Sequence, residues 1–156
     1  MADEQALENK YIVFHLKDEE YIIPVSSIGS IEKILPITRV PGVAPFIKGV
    51  MNLRGIVIPV IDIKERFFNQ ETELTEQARI IIIQLEEMSV GFIVEAANDV
   101  VDISMEHVET TPEVVGADTV DYVKGVIQMQ GHLYIVLDLE KILDKENLHH
   151  ALPLEQ

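Results

Sequence analysis

Apolar positions along the chain gather into short runs with the two-residue period of strands, not the 3.6-residue period of helices. Residues 11–16 are almost continuously apolar, as in a strand covered on both faces, and the polar turn Lys17-Asp18-Glu19-Glu20 follows. Tyr21, Ile23 and Val25 then alternate, and Pro24 among them predicts a strand at a sheet edge, where a missing N–H is tolerated. Ser26 and Ser27 are candidate N-caps of a short helical turn carrying Ile28 and Ile31, and residues 31–35 return to strand. Residues 36–45, PITRVPGVAP, are a loop by composition, with three prolines and a Pro-Gly pair.

The next stretch organises the rest. Residues 46–63 read FIKGVMNLRGIVIPVIDI, and residues 122–139, 76 positions later, read YVKGVIQMQGHLYIVLDL. Lys48, Gly49, Val50, Gly55, Val60 and Asp62 reappear as Lys124, Gly125, Val126, Gly131, Val136 and Asp138. The opening repeats as well: an offset of 69 aligns 12–16 with 81–85, Ile23 with Phe92, Val25 with Val94 and Ile31 with Val100. A match at constant spacing signals two copies of one supersecondary unit. Each copy holds about five short strands and one or two helical turns, and Asp62 and Asp138 are placed to cap helices over 63–68 and 139–143. Strands this short suit a small closed barrel, since closure removes exposed edges. The pattern predicts one domain, 1–156, with subdomains of about 17–78 and 79–144 meeting in the polar connection 69–78. Residues 11–16 are compatible with pairing to either half, and 1–10 and 145–156 read as loosely ordered ends. The copies differ where it matters most, at the tips: Asn52, Leu53 and Arg54 in the first copy, Gln128, Met129 and Gln130 in the second.

Composition narrows the function. The chain has no cysteine, which excludes disulfides and thiolate chemistry. It has no stretch of the roughly 20 apolar residues a membrane helix needs, and its polar, acidic start does not resemble a secretory signal, so a soluble cytoplasmic protein is expected. Net charge is −15, with 12 acids and 9 bases in residues 1–79 but 15 acids and 3 bases in 80–156. That sign excludes a nucleic-acid binder, which needs a basic footprint, and the asymmetry suggests different partners for the two halves.

Catalytic and metal signatures are weak. Asp62 and Asp138 sit in equivalent places of a duplicated β unit, as in aspartic hydrolases, but are followed by Ile63-Lys64 and Leu139-Glu140 where a dyad needs Ser or Thr and then Gly. His15, His107 and His132 are scattered, and the tail pair His149-His150 has no third ligand at suitable spacing. Asp118 and Asp121 lack a calcium-loop pattern. No phosphate loop or nucleophile elbow is present, so no cofactor, metal or small-molecule substrate is expected. Recognition remains. Arg54 at a β-turn is ordinarily a solvated charge, but its absence from the second copy and its company (Leu53, Arg39, Val40 and Val43) make it a candidate interface anchor. Gly49 serves packing or a partner's close approach. Ile28, Ile31 and Val100 are core by default, and Ile31 and Val100, as matched positions, are candidates to line a seam between the halves.

The segments Arg39-Val40-Pro41-Gly42, Pro45-Phe46-Ile47-Lys48-Gly49-Val50-Met51-Asn52-Leu53-Arg54-Gly55 and Ile58-Pro59-Val60-Ile61-Asp62 closely resemble the CheW family of bacterial chemotaxis coupling proteins. So do Tyr11-Ile12-Val13-Phe14, Glu20-Tyr21, and Val90-Gly91-Phe92-Ile93-Val94 leading to Asp99-Val100-Val101, and the likeness runs from about Tyr11 to residue 143. The resemblance implies a mainly β fold of two five-stranded SH3-like barrels around a shared apolar seam. It implies a non-enzymatic adaptor joining the cytoplasmic tip of a methyl-accepting chemoreceptor to the regulatory domain of the histidine kinase CheA, recruited to membrane receptor arrays without inserting into the bilayer. Carried over by position, the receptor-facing residues would be Ile28, Ser30, Gly49, Arg54, Gly91 and Val100, and the kinase-facing ones Glu109 and Val114. The alternative reading is a generic two-barrel binding module whose acidic second half recruits a basic partner.

Overall fold

The computed structural model describes residues 9–104 and 122–142. Among the described residues ten strands form two five-stranded sheets. Sheet I runs β8-β1-β2-β10-β9 and sheet II runs β3-β6-β7-β5-β4. The strands are β1 Lys10–Leu16, β2 Glu19–Pro24, β3 Ile28–Lys33, β4 Ile47–Leu53, β5 Ile56–Asp62, β6 Arg79–Gln84, β7 Ser89–Val94, β8 Ala96–Asp102, β9 Val123–Met129 and β10 His132–Leu137. Two short helices, α1 Ile63–Phe68 and α2 Leu139–Ile142, follow β5 and β10.

The two sheets are one plan used twice. Replacing each strand of sheet I by its counterpart in the other repeat gives the order of sheet II. The registers agree as well: Ile12 faces Val100 as Ile81 faces Ile31, and Val136 faces Ile22 in parallel as Val60 faces Gly91. The repeats are nevertheless interleaved. Sheet I takes β1 and β2 from the first repeat and β8 to β10 from the second, and sheet II takes β3 to β5 with β6 and β7. The strands therefore do not separate at residues 78 and 79: the opening hairpin of each repeat is held by a parallel pairing to the last strand of the other, β2 to β10 and β7 to β5.

Three apolar cores explain why many strands lack simple alternation. In β6, Ile80 and Ile82 join a cluster confined to sheet II with Met51, Ile58, Val60 and Ile93, while Ile81 and Ile83 turn the other way. They enter a central cluster shared by both sheets, with Phe14, Tyr21, Ile61, Phe92 and Ile135. Sheet I has its own inner cluster of Tyr11, Val13, Ile22, Tyr134 and Val136. A strand apolar on both faces reads as a continuous run, which is the residue pattern of 80–83.

Two local expectations are corrected. β2 lies in the middle of sheet I, not at an edge; Pro24 is its last residue, where the absent N–H breaks no ladder bond inside the strand. The serines do not start a helix: Val25–Ser27 is a single 3-10 turn with no side-chain cap, and Ile28 already begins β3 opposite Ile83. Pairing with β6 buries more than an isolated turn could.

Candidate functional site

The six expected receptor-facing residues divide into four settings. Ser30, Gly91 and Gly49 lie in one row across sheet II, in the order Ser30, Ile82, Gly91, Val60, Gly49, each directly opposite the next. Both glycines are buried. Gly49 has φ of +139°, and a Cβ there would collide with the Thr38 carbonyl, because the proline-rich loop crosses β4 at that point. Thr38 N–H donates to the Val50 carbonyl at 2.8 Å and Val50 N–H donates back to Thr38 at 2.9 Å. A Cβ on Gly91 would sit 2.8 Å from Ile80 Cγ2. These glycines shape the sheet from within. Ile28, half-buried at the head of β3, packs against the central cluster. Ile31 and Val100 are not core: at equivalent positions on the outer strands of the two sheets, they are 37% and 55% exposed.

Arg54 occupies the tip of the β4–β5 hairpin. Arg54 and Gly55 both have positive φ, +52° and +86°, as a two-residue type I′ turn demands, and Gln130 and Gly131 match them at +52° and +82°. Asn52 Oδ1 accepts from the Gly55 N–H at 2.9 Å and closes the turn. A left-handed backbone disfavours an L residue by about 1 kcal/mol, so arginine is here against the local preference. Its side chain is 72% exposed and reaches one carboxylate, donating from Nη2 to Glu32 Oε2 at 3.4 Å. Glu32 is on β3, at the opposite end of the strand order from β4.

The carboxylates considered for catalysis are used structurally. Asp62 is buried at the end of β5; its Oδ1 accepts from Glu65 N–H at 3.1 Å and Thr72 Oγ1 at 2.7 Å, and its Oδ2 accepts from Thr72 N–H at 2.8 Å. One side chain thereby caps α1 and pins the connection to β6. Asp138 accepts from Lys141 N–H at 3.4 Å in the other sheet, so each aspartate serves its own helix and no paired dyad forms. Among the described residues no three His, Asp or Glu side chains converge as a metal-binding group, and no helix is long and apolar enough to cross a membrane.

A cleft of about 560 Å³ lies under the proline-rich loop, lined by Ile37, Arg39, Val43, Lys48, Glu71 and Leu74 among others. It contains none of the six expected residues except through the neighbours of Gly49. On its floor Lys48 pairs with Glu65 and with Glu71, the latter at 2.9 Å. Burial lowers the Lys48 pKa, but the hydrogen bonds and charges of Glu65 and Glu71 outweigh it and hold the ammonium above the ordinary lysine value. The same bond to Lys48 holds Glu71 below the ordinary carboxylate value.

Sequence reasoning missed Glu32 and Arg66, and it placed Asn52 at the tip without its turn-closing role. The Arg66 guanidinium lies between two rings, 4.4 Å from the Phe46 centroid and 4.7 Å from that of Tyr122. Phe46 and Tyr122 are equivalent positions of the two repeats, so one cation ties the repeats together. The signal for Glu32 was present: its counterpart is Val101, as that of Arg54 is Gln130, so the acid and the base are both confined to the first copy. Glu109, Val114, His107, Asp118, Asp121, His149 and His150 lie outside the described residues.

Comparison with known proteins agrees with this geometry. Residues 10–147 match the family model of the CheW-like domain. The chain is 42% identical over 153 residues to the chemotaxis protein CheW of Bacillus subtilis, covering 98% of each. It is 28% identical to the chemotaxis protein CheW of Klebsiella aerogenes, over 92% of this chain and 87% of that protein. Among solved structures, the scaffolding protein TtCheW from Thermoanaerobacter tengcongensis superposes with a TM-score of 0.79 at 31% identity, covering 90% of each chain.

Proposed function

Because the chain belongs to the family of CheW-like domains, a family of chemotaxis scaffold and adaptor proteins, we propose that it couples the cytoplasmic tips of chemoreceptors to the regulatory domain of a CheA-type histidine kinase. The observation that carries this reading is the unequal tip: one repeat holds a strained, mostly exposed arginine where the other holds glutamine on the same backbone. Arginine and glutamine meet the same backbone conformation there, so the difference between the tips lies in the side chain, and an exposed guanidinium on one tip alone supports an external use. A helical receptor tip would lay an apolar stripe along Ile28 and Val100, with Arg54 as the polar anchor. Ser30 would lie beside that stripe. Gly49 and Gly91, both buried, would contribute from beneath it by leaving room for the Thr38 crossing and the Ile80 side chain. Glu109 and Val114 would meet the kinase. Each sheet would close as an SH3-like barrel, which the approach of Arg54 to Glu32 across the ends of the strand order supports.

The function needs no bond chemistry. Different affinities for two receptor conformations suffice to bias a kinase equilibrium. Such a protein acts at the cytoplasmic face of the membrane, held there by its receptors. Truncating a central interface anchor costs about 2–4 kcal/mol, so Arg54→Ala lowers receptor-tip affinity roughly 30-fold or more and leaves the thermal midpoint nearly unchanged. Isothermal titration with a receptor-tip fragment measures this, and unaltered affinity removes Arg54 from the site. Binding to basic proteins in general, without the kinase domain or the receptor tip, would favour a charge-driven module acting through the acidic second half.

A further inference from the structure

We propose that Arg66 is a positioning residue for the receptor-facing surface: by clasping Phe46 and Tyr122 it sets how sheets I and II sit on each other, and so how Ile28 stands relative to Val100. The inference rests on the reading that a receptor tip lies along those two residues. It gives a role to α1, which holds none of the expected receptor- or kinase-facing residues.

Three observations carry it. First, the surface is shared. Ile28 is on β3 of sheet II and Val100 on β8 of sheet I, so neither sheet alone fixes its shape. Second, α1 follows β5 of sheet II, yet its side chains reach groups of both sheets. The Arg66 guanidinium lies 4.4 Å from the Phe46 centroid and 4.7 Å from that of Tyr122. Phe46 precedes β4 and Tyr122 precedes β9, and the two are rooted alike. The Phe46 carbonyl accepts from Asp62 N–H and the Tyr122 carbonyl from Asp138 N–H, both at 2.8 Å. Beside Arg66, Phe67 stacks on Tyr122 with centroids 5.3 Å apart and meets Tyr21 of β2 at 5.9 Å. Lys17 Nζ, at the β1–β2 turn of sheet I, lies 4.8 Å from the Phe68 centroid. Third, packing at this register does not demand a cation. The equivalent residue of the second repeat is Ile142, fully buried in the central cluster, whereas Arg66 keeps its Nε buried with no hydrogen-bond partner.

The clasp acts on arrangement more than on stability. The central cluster holds the sheets together by apolar area, which has no preferred direction. A guanidinium between two rings has one, because it is planar and is drawn to the ring faces. It therefore selects among closely similar packings of the same core. Without it both sheets stay folded, and Phe46 and Tyr122 are released from each other.

The test uses the full chain. Arg66→Met keeps the long stem and removes the charge, and Arg66→Lys keeps the charge and removes the plane. Residual dipolar couplings of the backbone amides give the orientation of sheet I relative to sheet II, and titration with a receptor-tip fragment gives the affinity. In Arg66→Met the couplings within each sheet are expected to fit the wild-type geometry while the orientation between the sheets changes. Tip affinity is expected to fall roughly 3- to 10-fold, the worth of one partly screened cation–π contact, with Arg66→Lys between that value and wild type. Tyr122→Leu is expected to have less than about a twofold further effect once Arg66 is replaced by methionine. An unchanged orientation in Arg66→Met overturns the proposal, and so does a changed orientation with unchanged tip affinity. Weakened binding accompanied by altered couplings inside either sheet is damage to the fold and overturns it as well. Arg54→Ala separates this inference from the reading beneath it. If that variant binds the tip as wild type does, the receptor reading fails, while a changed orientation in Arg66→Met still upholds the clasp between the sheets.

Discussion

Replacing Arg54 by asparagine separates what the turn needs from what the side chain does. The backbone at Arg54 has φ of +52°, and asparagine, which tolerates that conformation better than arginine, recovers about 1 kcal/mol of its cost. Asn-Gly is the preferred dipeptide of a type I′ turn. The exposed ion pair to Glu32 contributes a few tenths of a kcal/mol at about this exposure. The net expectation is a gain of about 0.5–1 kcal/mol, which in a chain of this size raises the melting temperature by roughly 1–4 °C. Receptor-tip affinity falls roughly 30-fold in the same variant. Gln130→Asn is an internal control, since Gln130 has the same φ in the second repeat: it should stabilise by a similar amount without affecting receptor binding. Differential scanning calorimetry and titration on the two variants decide the matter. If Arg54→Asn lowers the midpoint while Gln130→Asn raises it, Arg54 supports the fold, and the inference from its exposure to external use is wrong.

Other predictions address the scaffold. Val60→Ala and Val136→Ala remove methyl groups from the inner clusters of the two sheets, where both residues are at most 2% exposed; each should cost about 2 kcal/mol in urea denaturation, and an unmoved midpoint would contradict the inward register. Gly49→Ala places a Cβ against the Thr38 carbonyl at positive φ; it should cost about 3 kcal/mol or more and free the Thr38–Val50 amides to hydrogen exchange, and unchanged protection there would count against the crossing. The Lys48–Glu71 pair sets an acid response. Because the folded-state pKa of Glu71 lies below its ordinary value, its stabilisation is present above the ordinary carboxylate range and is lost as pH falls through the depressed value. Lys48, raised, contributes below the ordinary lysine value and loses its effect only as strongly alkaline pH passes the folded-state value. Lys48→Met should abolish the Glu71 part of the acid limb in a pH series of denaturation midpoints, and an identical limb in both proteins would refute that assignment.

Much of the plan was legible because a duplication leaves identical residues at constant spacing. The offsets of 69 and 76 anticipated that Ile31 matches Val100 and that Val60 matches Val136, and the registers show both. Asp62 as a helix cap was legible too, since a cap is local chemistry. The interleaving of the repeats was not. It depends on the parallel pairings β2 with β10 and β5 with β7, which join residues far apart in the chain and leave no local trace. The position of β2 was misread because Pro24 carries edge-strand meaning only inside a strand, and here it ends one. Gly49 reads from sequence as serving packing or a partner's close approach, and the packing part is visible in the structure: the crossing at Thr38 and, for Gly91, the Ile80 side chain occupy the space a Cβ would need. Glu32 was passed over because an acid on a half-exposed strand ordinarily reads as solvated. Its contact with Arg54 joins strands from opposite ends of the strand order and so leaves no local trace.

The claim beneath these predictions is that the molecule works by being held between two others. Analytical ultracentrifugation of a receptor-tip fragment with the kinase regulatory domain tests it most directly, with and without this chain. The expected result is that receptor and kinase fragments co-sediment only when the chain is present, and that Arg54→Ala releases the receptor fragment while the kinase domain stays bound. Receptor and kinase fragments displacing one another from the chain, or neither binding it, would contradict the claim.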